Sequence, residues 1–332
     1  MIHRGRDVPR RWRDQRNLPA TILGSDWGRR VVVAAASALA LGAVAGSYAY
    51  AIEPRRLQVV RYRLGIAGLP HALNGVRIAH LTDFHVGMEG TRRSTLRRAV
   101  DRVCREGVDL AALTGDFTHE GVWNPDADLF RPLTKVCPTF AVLGNHDHLA
   151  NEVATQGIVH RLRDQGVQVM RNQHADVPVR RGTGRILIVA VDDPRLGYDN
   201  LGRAMAGTPP AAEQDRPAIL LGHVPDIVEQ APPGHFALTL AGHTHGGQLR
   251  FSPLKRFTPL EVPMIVGDLD SHYPRGTHVV RGNPLFVNNG LGVSGVPFRF
   301  MAPPQVALFT LVPGVDEEKD IDDPERYFFE EK

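Results

Sequence analysis

The chain predicts an α/β fold, with two β-sheets packed face to face, helices covering them and an apolar helix in front. Three observations carry this expectation. Between residues 76 and 165, short apolar runs alternate with polar loops and amphipathic stretches, the pattern of a sheet covered by helices. After Gln165 the runs follow one another across short polar turns, so the second half is richer in strands and two packed sheets fit better than one long sheet. The 332 residues, 42% apolar and 23% charged, are enough to bury a sizeable core and exclude disorder throughout.

The elements follow in order. Residues 1–30 are an Arg-rich lead. Residues 31–51 carry no charge and are dominated by Ala, Val and Leu, and these 21 residues would just span a bilayer. The basic lead keeps residues 1–30 cytoplasmic and sends the rest out. Two readings stay open: a permanent transmembrane signal anchor, or an export signal cleaved at the small-x-small sequence Ala49-Tyr50-Ala51. Arg29-Arg30 followed by valines resembles a twin-arginine signal, with Gly28 where Ser or Thr is usual. Either way, the domain at residues 55–312 is expected at the cell membrane or exported, on the extracytoplasmic side.

Residues 57–64 alternate and read as a half-exposed strand. Residues 76–81 form a strand ending in Thr82-Asp83-Phe84-His85. Residues 91–106 are helical, with Leu96, Val100, Val103 and Cys104 on one stripe. The next strand, 108–113, ends in Gly115-Asp116. A weak helical pattern at 126–136 precedes the strand 139–143, which runs into Gly144-Asn145-His146-Asp147, and 151–165 is helical. Strands are then expected at 167–172, 175–179, 185–191, 218–221, 236–240, 285–287 and 305–311. Residues 252–281 are a Pro- and Gly-rich excursion placed to shape access to a site. The acidic segment 313–332 reads as a solvated tail.

Composition narrows the function. The net charge is +3 and basic residues are not interleaved with aromatics, so no nucleic-acid surface is expected. The two cysteines, Cys104 and Cys137, form no Cys-x-x-Cys, which excludes a zinc ribbon or redox motif, and a disulfide between them stays open. Five loops instead place metal-type ligands directly after apolar runs: Asp83 and His85; Asp116; Asn145 and His146; His223; His243 and His245. Carboxylate, amide and imidazole donors together suit manganese first, with iron, zinc or nickel as alternatives. These donors exceed one tetrahedral site and suit two divalent ions about 3.5–4 Å apart.

At these residues the chain resembles the calcineurin-like metallophosphoesterase superfamily, whose signature runs D-x-H, G-D, G-N-H-D/E, H and G-H-x-H. Here it is Asp83-Phe84-His85, Gly115-Asp116, Gly144-Asn145-His146-Asp147, His223 and Gly242-His243-Thr244-His245, in that order. The apolar N-terminal segment, Gly246-Gly247-Gln248, Val191-Asp192-Asp193, and Asn289-Gly290-Leu291-Gly292 followed by Pro297-Phe298-Arg299 resemble its membrane-associated YkuE/YaeI-type phosphodiesterase branch. That branch is similar in turn to enzymes that cleave UDP-diacylglucosamine.

The resemblance implies a four-layer αββα sandwich. It also implies that Asp83, His85 and His245 hold a first ion, that Asn145, His223 and His243 hold a second, and that Asp116 bridges them. Water activated between the ions would attack phosphorus in line, with His146 contacting the phosphoryl group or protonating the leaving oxygen. The chain departs from the pattern at His119, where phosphoprotein phosphatases carry a carboxylate that orients the catalytic His and purple acid phosphatases carry a Tyr ligand.

The expected function is hydrolysis of phosphodiester or pyrophosphate bonds in small-molecule or lipid-linked envelope substrates. A phosphomonoesterase, a non-catalytic scaffold of the same fold and a cytoplasmic nucleotide phosphodiesterase are the alternatives. Outside the motifs, His80 reads as structural, and His119 and His148 as neighbours of the ligands or solvent-facing. Asp192-Asp193-Pro194 reads as a turn or a wall of the site, and Arg299 as the partner of a phosphate or of a surface acid.

Overall fold

The computed structural model describes residues 26–120, 128–179, 184–250 and 272–331. The chain divides into two compact units, Met1–Tyr48 and Ala49–Lys332. In the first, helix α1 (Asp26–Ser47) starts in the basic lead and takes in most of the uncharged run, and the helical stretch Asp26–Arg55 is long and apolar enough to cross a membrane. Most of the basic lead lies outside the described residues, as does the excursion expected at 252–281 up to residue 271; its remainder holds the strand Gly276–Val280.

In the second unit, apolar runs too short for helices become strands, and the two-residue period of a strand sends neighbouring side chains to opposite faces. One sheet has the order β13-β1-β12-β2-β3-β4-β5. Its strands are β1 (Gln58–Ile66), β2 (Arg77–Leu81), β3 (Leu110–Thr114), β4 (Thr139–Val142), β5 (Gln168–Val169), β12 (Gln305–Pro313) and β13 (Phe328–Glu330). The other has the order β10-β11-β9-β8-β7-β6, built from β6 (Gln173–Val179), β7 (Gly184–Ala190), β8 (Ala218–Leu221), β9 (Leu238–Ala241), β10 (Gly276–Val280) and β11 (Asn283–Val287).

Ile78, Leu110, Phe140, Ile186, Ile188, Leu221, Phe286 and Phe309 fill the space between the sheets. On the outer face of the first sheet, Ala79, Leu81 and Leu113 pack against Leu96, Val100 and Val103 of α2 (Arg93–Arg105) and against Ile158 and Leu162 of α5 (Glu152–Asp164). On the outer face of the second, Leu187, Val189 and Leu220 meet Leu201 and Ala204 of α6 (Leu201–Met205) and Ile227. These are the four layers expected, helix, sheet, sheet and helix.

Four expectations change. Residues 305–311 do not extend the strand-rich second half; β12 runs back into the first sheet, parallel to β1 and antiparallel to β2. The acidic tail is not wholly solvated. Leu64 pairs with Phe328, whose ring is buried against Tyr62 and Phe309, so the end of the chain contributes an edge strand. The helical pattern at 126–136 contracts to α3 (Arg131–Thr134), residues 126 and 127 being outside the described part. Cys104 is only half-buried, and both cysteines are free thiols.

The segment joining α1 to β1 is part of the second unit. Arg299 N donates to Ala49 O at 3.0 Å, and the Tyr50 ring lies against Phe298 and beneath the Arg92 guanidinium. The buried Glu53 carboxylate accepts from Ala302 N at 2.7 Å, and Thr95 Oγ1 donates to Pro54 O at 2.9 Å.

Candidate active site

Strands β2, β3 and β4 run parallel in one sheet, as do β7, β8, β9 and β11 in the other. Side-by-side parallel strands gather the loops after their carboxyl ends at one edge, where open α/β sheets bind ligands. The predicted ligands sit there, on the loops after β2, β3, β8 and β9 and on the short helix α4 (Asn145–His148) after β4.

The loops reverse abruptly. Asp83, His85, Asp116, His243 and His245 all hold positive φ, between 41° and 70°. Side chains rarely take this conformation, and where it persists the surroundings enforce it. Here Phe84 and Phe117 stack at 5.3 Å between their ring centres, with Phe130 edge-on to both, so the residues that flank the ligands are locked in the core. The loops also come within backbone contact. A Cβ on Gly144 would stand 2.6 Å from Asp116 N.

The donors converge in two groups. The ligand atoms of Asp83, His85, Asp116 and His245 lie within 4.8 Å of one another, and so do those of Asp116, His223 and His243. Asp116 belongs to both. Its Oδ2 is 3.3 Å from His85 Nε2 and 3.2 Å from His223 Nε2, while its Oδ1 accepts from His146 N at 2.9 Å. In the first group His85 Nε2 and His245 Nε2 are 3.0 Å apart, and His245 Nε2 is 3.4 Å from Asp83 Oδ1. In the second, His243 Nδ1 is 3.3 Å from His223 Nε2. Asn145 Oδ1 is buried and has no hydrogen-bond partner among the described residues. Imidazole nitrogens turned towards one another around a shared carboxylate, with an orphaned amide oxygen alongside, fit a pair of cations.

Electrostatics agree with that chemistry. Burial lowers the pKa of His243 to about 3 and that of His245 well below the ordinary value, so both rings are neutral and their lone pairs available. Burial also opposes charge on His223, but the Asp116 carboxylate overrides it and holds His223 up to about 10. Burial would raise Asp116, yet His223 and His85 hold its carboxyl well below the usual range.

His146 is half-buried at the rim. Its ring centre is 4.7 Å from that of His85, its Nε2 is 3.5 Å from Ser294 Oγ, and burial lowers its pKa to about 4. His119 lies beside it, the ring centres 5.5 Å apart at 24°.

Several residues support the site without belonging to the ligand clusters. Asp147 is not among the clustered ligands. Its Oδ1 accepts from Phe117 N and Thr118 N at 2.9 and 3.1 Å and its Oδ2 from Gly144 N at 3.0 Å, which ties the Asp116 loop to the Asn145 loop. Arg299 is not the partner of a surface acid. It is fully buried, donates to Gly292 O and Ala302 O at 2.8 and 2.7 Å, and lies 3.3 Å from His245 Nδ1. Ser294 has no local motif and reaches His146 only because a loop after β11 folds over the site. His80 is structural, its Nε2 2.8 Å from Thr114 Oγ1. His148 is buried beside Asp192, which also accepts from Arg171.

The profile of the calcineurin-like phosphoesterases matches residues 76–247, from just before β2 to just past His245. The uncharacterized metallophosphoesterase YkuE of Bacillus subtilis is 29% identical over 286 residues, spanning 82% of this chain and 93% of its own. Phosphodiesterase YaeI of Escherichia coli is 28% identical over 292 residues, 86% of this chain and 98% of its own. A Danio rerio transmembrane protein with a metallophosphoesterase domain is 29% identical over 283 residues, which are 82% of this chain but 62% of that protein. With more than half of its residues matched by the family profile, this chain belongs to the calcineurin-like phosphoesterases, in the branch of YkuE and YaeI, and is a metallophosphoesterase that hydrolyses phosphoric esters.

Proposed function

We propose that the protein is a binuclear phosphodiesterase acting on phosphodiester or pyrophosphate bonds of lipid-linked or cell-envelope substrates. The observation that carries the reading is the single oxygen of Asp116 that faces His85 on one side and His223 on the other. Asp83, His85 and His245 would hold one ion, Asn145, His223 and His243 the other, with Asp116 shared between them and manganese the preferred metal. Such a pair, when bound, neutralises phosphoryl charge and supplies an activated water.

The chain's own residues orient the rest. Asp116 accepts from the His146 backbone, which keeps the imidazole at a fixed offset from the shared carboxylate. His146, at the rim and within reach of Ser294, is placed to contact the phosphoryl group; burial keeps its ring neutral, so it would donate through its single N–H. The phosphodiesterase name of the YaeI relative supports the diester preference.

The test is hydrolysis of bis-p-nitrophenyl phosphate by full-length protein with Mn²⁺, expected to exceed hydrolysis of p-nitrophenyl phosphate. A preference for the monoester would overturn the diester assignment, and fewer than two ions per chain at saturation would overturn the binuclear one.

The apolar helix is read as a retained anchor with the catalytic unit outside the cytoplasm. The contacts of Ala49 and Tyr50 support retention, because cleavage after Ala51 would excise two residues that pack on the second unit. The transmembrane name of the Danio rerio relative is in keeping with it. Intact mass of the membrane fraction checks it: the uncleaved chain is expected, and a product starting at Ile52 would overturn it.

A further inference from the structure

We propose that Arg195 is a substrate-binding residue, its guanidinium gripping a non-bridging oxygen of the phosphoryl group held beside His223 and His243. The inference rests on the phosphoesterase reading and adds a residue that neither the signature nor the donor clusters contain.

The mount is rigid. Arg195 sits second in the turn Pro194-Arg195-Leu196-Gly197, closed by Gly197 N donating to Pro194 O at 3.1 Å. Behind the turn, Asp193 accepts from Leu196 N through Oδ2 at 2.8 Å and from Tyr198 N through its carbonyl at 2.9 Å. Asp192 is fixed in turn by His148 at 2.8 Å and Arg171 at 2.6 Å, and the Tyr198 ring stacks on His148. A long cationic side chain is thus carried on a turn with little freedom of its own.

The reach is right. Arg195 is exposed, yet its guanidinium Nη1 comes within 3.4 Å of His243 Nε2. The other nitrogen of that ring, Nδ1, faces the donor cluster, 3.3 Å from His223 Nε2. A guanidinium can only donate. The contact therefore needs a lone pair on Nε2 and places the ring proton on Nδ1. If Nδ1 instead gives its lone pair to a cation, the neutral ring carries its proton on Nε2. Two donors would then face each other, so the N–H that meets Nε2 would no longer have an acceptor there. At the mouth of a phosphoesterase cleft the matching acceptor is a phosphoryl oxygen, whose geometry the planar fork fits. A cation held at Nδ1 would thus leave the N–H that meets His243 to face the substrate anion.

The experiment is calorimetric titration of inorganic phosphate into the full-length, Mn²⁺-loaded protein. Arg195→Ala is expected to weaken phosphate binding about 10- to 100-fold, the range for one hydrogen bond to a charged group. Arg195→Lys should recover part of the loss, because it keeps the charge without the fork. Metal analysis should show two ions per chain in all three proteins, and KM for bis-p-nitrophenyl phosphate should rise in the Ala variant more than kcat falls. Equal phosphate affinity in the wild type and Arg195→Ala overturns the assignment. So does a wild type that binds no phosphate, or a variant that loses its metal, which would make Arg195 a support for His243. Failure of the wild type to hydrolyse any phosphoester strikes the phosphoesterase reading instead, and the phosphate titration still judges Arg195.

Discussion

His146 and His223 occupy the same cleft with opposite electrostatics. Burial leaves His146 with a pKa of about 4, while the Asp116 carboxylate holds His223 near 10 despite its burial. Two consequences follow. His146→Ala, which removes a neutral imidazole N–H from the phosphoryl group, is expected to lower kcat by about 10- to 100-fold, the range for one hydrogen bond to a charged group, with the metal content unchanged. Steady-state kinetics beside metal analysis check it. His223 must shed its proton to act as a ligand, so metal loading at neutral pH releases protons and apparent affinity rises with pH. Calorimetry in two buffers of different ionisation enthalpy reads the release, and identical apparent enthalpies would count against ligation through His223.

At the scale of elements, the cleft is held by short polar ties between loops. Asp147 accepts from three backbone amides on two different loops. Asp147→Ala leaves those buried donors unpaired, at about 1–3 kcal/mol for each such group. A lower denaturation midpoint with weakened metal binding is expected, because the Asp116 and Asn145 loops would part. A second tie is Asp192 with His148 and Arg171. Burial disfavours its charge, but the two hydrogen bonds win and hold its carboxyl below the usual range. A depressed acid stabilises the fold fully above the unfolded pKa, about 3.9, and the contribution is lost as pH falls through the folded value. Asp192→Asn should cost about 3 kcal/mol at neutral pH, the low end for breaking a buried pair. Its deficit relative to the wild type should shrink below about pH 4, which urea titrations across pH would register.

For the second unit as a whole, both ends of the chain serve the first sheet. Glu53 caps Ala302 on the way in, and Phe328 closes the edge beside β1 on the way out. Phe328→Ala should destabilise by about 3 kcal/mol, typical of an aromatic truncated in a core. Metal stoichiometry should not change, because β13 is separated from the ligand-bearing strands by β1 and β12. A urea midpoint with metal analysis tests both parts. Binding of two ions by the folded state alone should raise the midpoint, by about 2.7 kcal/mol for each ion present at a hundredfold excess over its Kd.

The sequence by itself determined the alternation of strands and helices, the apolar helix and the eight side chains of the signature. Each follows from neighbours in the chain: a period of two or 3.6, a run without charge, a polar residue directly after an apolar strand. Tertiary structure alone decided which strands share a sheet, and so it moved β12 and β13 from the end of the chain into the first sheet. It also decided the partners of the ligands. Arg195 and Ser294 have no local signature, and the motifs that contain Asp147 and Arg299 do not say what these two side chains tie together, because those partners lie across gaps in sequence that only tertiary structure closes. A carboxylate's position is legible wherever glycine and an apolar run flank it. Which two histidines share its oxygen depends on loops meeting in space, and no periodicity encodes that.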